Sequence, residues 1–135
     1  MGIPTYEDAK VLLELFRMRQ EPGLEEAERW FLHQYQPGTW EEIQIRYPAG
    51  APEHARMERV LRYWELVGAL VDHGLLNEDL LFDVLQDMQP IWQRIEPWVT
   101  QARAAQGVDT WENLEILAGL QRHWQQMHRP KSQRL

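Results

Sequence analysis

The sequence predicts an all-α protein, a single-domain helical bundle of about six to seven helices around a long central helix. Three observations support this prediction. Apolar residues recur at helical spacing in almost every segment, Pro and Gly separate these segments, and no segment alternates between apolar and polar residues as a half-buried strand does. We expect the domain to cover residues 1–128, followed by a short, basic, disordered tail over residues 129–135.

Composition limits the classes of function. The 135 residues are 44% hydrophobic, which is enough for one buried core. The chain has no cysteine, which excludes disulfides, thiolate zinc sites and a cysteine nucleophile. A net charge of -7 argues against nucleic acid as a partner. Because no signal peptide and no membrane-length apolar run occur, we expect a cytoplasmic protein without a membrane partner.

The first predicted helix covers residues 6–20. Thr5 and Asp8 have the spacing of a capping box, in which each residue satisfies a free backbone amide at the start of a helix. Pro22 and Gly23 end the helix. Its predicted inward face carries Ala9, Leu12, Leu13 and Phe16.

Two further helices precede the central one. The second is predicted over residues 24–34, with an inward face of Leu24, Ala27, Trp30 and Phe31. A second capping box, formed by Thr39 and Glu42, opens a short third helix. The Pro- and Gly-rich run over residues 47–52 then predicts the longest loop of the chain.

The central helix is predicted from about residue 53 to Gly74, a glycine at the position of a C-terminal cap. One apolar stripe follows its whole length at about 100° per residue. The stripe comprises Met57, Val60, Leu61, Trp64, Val67, Gly68, Val71 and Leu75. Glu65 and Asp72 border this stripe, so two carboxylates are predicted beside a buried surface.

Three helices are predicted after residue 74. Asn77 caps the first of them, whose outer face carries Asp79, Asp83 and Asp87. The next begins at Pro90 and continues through Pro97, because its apolar spacing is unbroken. A third capping box, Asp109 with Glu112, is predicted to open the last helix, which Pro130 ends.

The second half of the chain resembles a widespread, small bacterial domain of unknown function. The resemblance covers residues 57–120 or so and includes the aromatic-Glu pair Trp64-Glu65, the junction GLLNEDL over residues 74–80, Trp92 and Arg103. It implies an all-helical fold and supplies no established activity.

Glu65 is the most informative single candidate. A carboxylate at the edge of a buried surface costs several kcal/mol unless it is paired or protonated. Arg103 is the predicted partner, because it lies on the helix face that carries Trp92. We interpret this pair first as a structural ion pair that fixes helix register, with a catalytic acid as the alternative.

A candidate groove is predicted from Trp64, Trp92 and Trp98, with Glu65, Asp72 and Arg103 as its polar groups. No cofactor is expected. A metal site is not expected either, because the chain has no Glu-x-x-His motif and no histidines four residues apart. No serine nucleophile or phosphate loop is present to support catalysis.

Two functions of different class remain. The first is a non-enzymatic domain that acts through protein contacts, as a homo-oligomer or beside a protein partner. Seven tryptophans, the acidic face and the basic tail favour it. The alternative is a small-molecule or metal-binding helical protein that uses the carboxylate and tryptophan groove. Polar groups converging in an open pocket favour the alternative, and polar groups paired in a dry core favour the first.

Overall fold

A computed structural model describes residues 2–133 of the chain. These residues form seven α-helices and one short 3-10 helix, and they contain no strand. The all-α prediction is therefore confirmed. The helices are α1 (Tyr6–Arg19), α2 (Pro22–His33), α3 (Trp40–Arg46), α4 (Pro52–Asp72), α5 (Glu78–Val84), α6 (Gln89–Gln106) and α7 (Glu112–Met127), with the 3-10 helix at Lys131–Gln133.

Helix α4 is the centre of the bundle. It packs most extensively against α7 and next against α2. Its predicted stripe is buried from Met57 to Gly68. Leu75 is exposed instead, because the helix ends at Asp72 and the helical spacing no longer applies beyond it. Gly74 has a φ of 73° and follows the helix end, as a capping glycine does.

Local capping signals place most helix starts correctly. The capping boxes at Thr5 and Thr39 are both formed, and the side chain of Asn77 accepts the backbone amide of Leu80 at 2.9 Å. The third predicted capping box is wrong. Helix α7 begins at Glu112, and its N-cap is Trp111, which makes no side-chain capping bond.

Helix α1 buries a face that is rotated from the predicted one, and only Leu12 of the residues predicted to point inward is buried. Leu12 and Leu15 enter the core, whereas Leu13 and Phe16 are exposed. Both sets have helical spacing, so periodicity alone does not choose between them. The choice is made by contact with α2 and α5.

The chain beyond α7 returns to α5. The ammonium of Lys131 lies 3.0 Å from the carboxylate of Asp83. His128 stacks on Trp124 with ring centroids 4.0 Å apart. Residues 134 and 135, the last two of the predicted tail, lie outside the described residues.

Candidate functional site

Glu65 and Arg103 do not pair with each other. The carboxylate of Glu65 accepts the backbone amides of Asn113 at 3.2 Å and Leu114 at 2.9 Å, and the side-chain amide of Asn113 at 3.0 Å. Arg103 pairs with Glu115 at 2.7 Å and donates to the carbonyl oxygen of Thr110 at 2.9 Å. This is a correction of the predicted ion pair.

The start of α7 explains this arrangement. The first amides of a helix have no partner within the helix, and the helix dipole makes that end positive. Trp111 supplies no side-chain cap, so the carboxylate of Glu65 acts as the cap from α4. Gly68, one turn further along α4, makes the approach possible, because a Cβ there would overlap the carbonyl oxygen of Asn113.

The other predicted groove residues do not form an open site. Trp64 and Trp92 are only 1% and 2% exposed, so their rings belong to the core. Trp98 is also only 1% exposed, but one part of its ring borders a different cavity, away from Trp64 and Trp92. Asp72 is the last residue of α4, and its side chain is exposed. The predicted groove is therefore replaced by packed aromatic core.

The acidic face of α5 is occupied from within the chain. Asp79 accepts the indole N–H of Trp124 at 2.8 Å. Asp83 contacts Lys131. Asp87 does not lie on this face as predicted, because α5 ends at Val84; it pairs with Arg19 at 2.8 Å. These carboxylates stabilise contacts between helices, so they no longer favour an external basic partner.

A different aromatic site lies between α3, α4, α6 and the loop before α7. It is a cleft of about 450 Å³, which we call the tryptophan cleft. On one side of the cleft, the ring centres of Trp40 and Trp98 lie 5.3 Å apart, and the two ring planes are inclined at 32° to each other. Its main apolar lining residues are Trp40, Tyr47, Met57, Leu61, Trp98 and Trp111.

Two half-buried polar side chains of α4, His54 and Glu58, also line the tryptophan cleft. The Nδ1 atom of His54 lies 3.0 Å from the carbonyl oxygen of Tyr47. Its Nε2 atom lies 3.2 Å from Oε1 of Glu58. The other oxygen of Glu58 accepts a bond from exposed Arg62 at 2.8 Å. Within the described chain, no lysine or arginine lines this cleft.

Trp111 has a strained backbone. Its φ of 55° and ψ of 30° place it in the left-handed region, where it is the one non-glycine residue with positive φ among residues 2–133. This conformation is an outlier for a bulky residue and persists only where surrounding contacts enforce it. Arg103 donates a hydrogen bond to the carbonyl oxygen of Thr110, the residue before Trp111. The half-buried indole of Trp111 lines the cleft.

Tyr35 supports the cleft from behind. Its hydroxyl accepts the indole N–H of Trp98 at 2.9 Å and donates to the carbonyl oxygen of Arg94 at 2.9 Å. Burial raises the pKa of Tyr35 to about 12, so the phenol stays neutral and can make both bonds at ordinary pH. The ring of Trp98 is thus fixed in place.

Comparison with known proteins identifies the family. The model of the family described as "Domain of unknown function (DUF4760)" matches residues 4–124. The chain belongs to this family. The match extends well beyond residues 57–120, where the sequence resemblance was found, and includes every helix that lines the tryptophan cleft. No curated protein and no solved structure matches the chain.

A second polar cluster joins four parts of the DUF4760 domain. The guanidinium of Arg19 pairs with Glu28 and Asp87, and it lies 5.0 Å from the ring centre of Trp64. One oxygen of Glu28 is buried without a hydrogen-bond partner in the described chain. Burial raises the pKa of the neighbouring Tyr63, whose hydroxyl donates to the carbonyl oxygen of Leu15 at 2.7 Å. This cluster connects α1, α2, α4 and the segment between α5 and α6.

Sequence reasoning did not identify the residues of the tryptophan cleft as a site. Neither His54 nor Glu58 is among the residues that the sequence predicts to form a site. One signal was available: His54 and Glu58 are four residues apart, so they share a helix face. The aromatic lining comes from residues 40–111 on separate helices, and no local pattern predicts that convergence.

Across residues 2–133, no three acidic or histidine side chains converge as metal ligands would. None of the helices in that range is long and apolar enough to cross a bilayer.

Proposed function

We propose that this DUF4760 domain is a non-enzymatic binding protein that holds a small organic molecule in the tryptophan cleft. The observation that carries the proposal is the convergence of Trp40, Trp98, Trp111 and Tyr47 on one cleft of about 450 Å³. Small-molecule sites commonly have volumes of roughly 300–1,000 Å³, an apolar and aromatic lining, and a few placed polar groups. His54 and Glu58 supply those polar groups here.

The left-handed conformation of Trp111 gives independent support. Backbone strain at a bulky residue is found mainly where a side chain must be held in a functional position. Any aromatic ring could bury its surface in the core, yet Trp111 remains half-buried beside the cleft. We infer that the strained turn presents the indole to a ligand.

Binding can be tested by ligand-observed NMR with a set of small aromatic amines, alcohols and acids. Probes with about nine non-hydrogen atoms should bind with dissociation constants of roughly 0.1–1 mM. Ala49→Trp, which fills the cleft, should remove the signal, whereas Ala104→Trp, at an exposed position of α6 outside the cleft, should keep it. Equal binding by the wild type and Ala49→Trp would place any ligand elsewhere and refute the proposal.

Self-association is a second candidate function, supported by the outer face of α1. Tyr6, Leu13 and Phe16 lie on one stripe of that helix and are 77%, 68% and 43% exposed. Contiguous exposed aromatic and aliphatic residues of this kind mark interfaces. We propose a second copy of this chain as the occupant, because the charges beside the stripe are self-complementary. An antiparallel copy would bring Glu7 near the partner's Arg17 and Lys10 near the partner's Glu14.

Sedimentation velocity over a range of concentrations tests this association. Leu13→Glu should give a monomer, because it places a charge in the apolar contact. Val84→Glu is the control, since Val84 is a half-exposed apolar residue of α5. A wild type that stays monomeric at roughly 1 mM, a concentration at which even weak pairs associate, would exclude the second copy.

A further inference from the structure

We infer that the ligand of the tryptophan cleft is an organic ammonium ion, whose N–H groups bind Nε2 of His54 and Oε1 of Glu58. This inference rests on the proposed function and names the chemical class of ligand. It follows from the donors and acceptors around His54 and from the charge of the cleft lining.

His54 faces an acceptor on each side. The carbonyl oxygen of Tyr47, 3.0 Å from Nδ1, can only accept, so Nδ1 carries a proton. In the neutral ring, Nε2 is then an acceptor, and it faces Oε1 of Glu58 at 3.2 Å. Two acceptors at this distance need a donor. The second ring proton can supply it, and so can an ammonium group of a ligand.

The lining of the cleft favours a cation. Glu58 is its one acidic residue and His54 its one basic residue in the described chain. Arg62, outside the lining, is exposed and binds the opposite oxygen of Glu58. The remaining titratable group, the phenol of Tyr47, accepts the backbone amide of Gln36 at 2.9 Å. Indole and phenol faces attract ammonium ions, so the aromatic lining and the carboxylate act together.

The ligand N–H and a second ring proton of His54 would compete for the same position. Where the free protein carries His54 as an imidazolium, the ring proton occupies the position that the ligand N–H needs. The ammonium ion enters, the ring loses the proton on Nε2 to solvent, and Nδ1 keeps its proton and its bond to Tyr47. One positive charge thus replaces another beside Glu58.

Isothermal titration calorimetry with three probes of similar size tests the ligand class. Phenethylammonium should bind roughly tenfold or more tightly than neutral 2-phenylethanol, because hydrogen bonds to charged groups are the stronger ones. Benzyltrimethylammonium has the charge but no N–H donor, so it should bind more weakly than phenethylammonium. Equal affinity of phenethylammonium and 2-phenylethanol would refute the inference while leaving the proposed function intact. Failure of every probe to bind would overturn both.

Two variants isolate the polar groups. Glu58→Gln should abolish the preference for phenethylammonium and keep the weak binding of 2-phenylethanol. Its control is Glu41→Gln, an exposed acid of α3 outside the cleft lining. His54→Asn retains a donor toward Tyr47 but has no ring nitrogen facing Glu58. Because it lacks the Nε2 acceptor, it should bind phenethylammonium more weakly than the wild type does. An affinity equal to that of the wild type would contradict the role assigned to Nε2.

Discussion

At the scale of single residues, the carboxylate of Glu65 caps a helix that is distant in the sequence. Thr5 and Thr39 cap the helices that they precede, whereas α7 receives its cap from α4, almost fifty residues earlier. A half-buried acid therefore needs no cationic partner when two or three amide donors converge on it. The same logic explains why Arg103 is available for Glu115 and Thr110.

Replacing Glu65 tests this cap. Glu65→Ala should lower the free energy of unfolding by about 2–3 kcal/mol, because it leaves the amides of Asn113 and Leu114 without an acceptor. Glu65→Gln keeps one acceptor oxygen and should cost roughly half as much. Urea unfolding measures both. Asp72→Asn, at an exposed position of the same helix, is the control and should change stability by less than about 0.5 kcal/mol. A Glu65→Ala protein as stable as this control would show that the cap contributes nothing.

At the scale of helices, the close approach of α4 and α7 depends on a glycine. Gly68 faces the backbone of Asn113, whereas Gly119 of α7 faces only the end of the Arg122 side chain at 4.0 Å. Alanine is favoured over glycine inside a helix by roughly 0.5–1 kcal/mol when space allows it. Both glycines lie inside helices, but a Cβ atom has no room at Gly68 and has room at Gly119.

The two glycine-to-alanine variants should therefore change stability in opposite directions. Gly119→Ala should stabilise the domain by about 0.5–1 kcal/mol. Gly68→Ala should destabilise it by about 1–3 kcal/mol, because the helices must move apart. Thermal and urea unfolding of both variants provide the measurement. Stabilisation by Gly68→Ala would mean that α7 does not lie against α4 as described.

The capping boxes of α1 and α3 should make stability depend on pH. Backbone hydrogen bonds from Thr5 and Thr39 lower the pKa of Asp8 and of Glu42. A group whose folded pKa is lowered stabilises the protein above its unfolded pKa, and this contribution is lost as pH falls through the folded pKa. Wild type should thus exceed the Asp8→Asn, Glu42→Gln variant in stability at neutral pH, and the difference should shrink in acid. A difference that stays constant down to about pH 3 would contradict this assignment.

Local signals predicted the helices well because each is encoded within a few residues. Thr5, Thr39, Asn77 and Gly74 all act on neighbouring backbone, so their effects follow from the sequence alone. The start of α7 was misplaced because its cap, Glu65, is distant in sequence. The wrong face of α1 has a similar cause, since two apolar stripes compete and only the neighbouring helices decide between them.

At the scale of the whole molecule, the fold gathers aromatic rings into two environments. Trp64 and Trp92 fill the core, and their indole nitrogens have no hydrogen-bond partner within residues 2–133. Trp40 and Trp111 stay half-buried at the tryptophan cleft. The sequence could predict that the tryptophans belong to core or interface. It could not assign each ring, because the cleft arises only when α3, α4, α6 and the loop before α7 pack together.

The most direct measurement of the central claim is a ¹H–¹⁵N NMR titration that follows the indole N–H signals of the seven tryptophans. Phenethylammonium is the probe, and single Trp→Phe variants assign the signals. If the tryptophan cleft binds it, the signals of Trp40, Trp98 and Trp111 shift together with one dissociation constant, while those of Trp64 and Trp92 stay in place. Shifts confined to other tryptophans, or no shifts at saturating probe, would contradict the assignment of this cleft as the binding site.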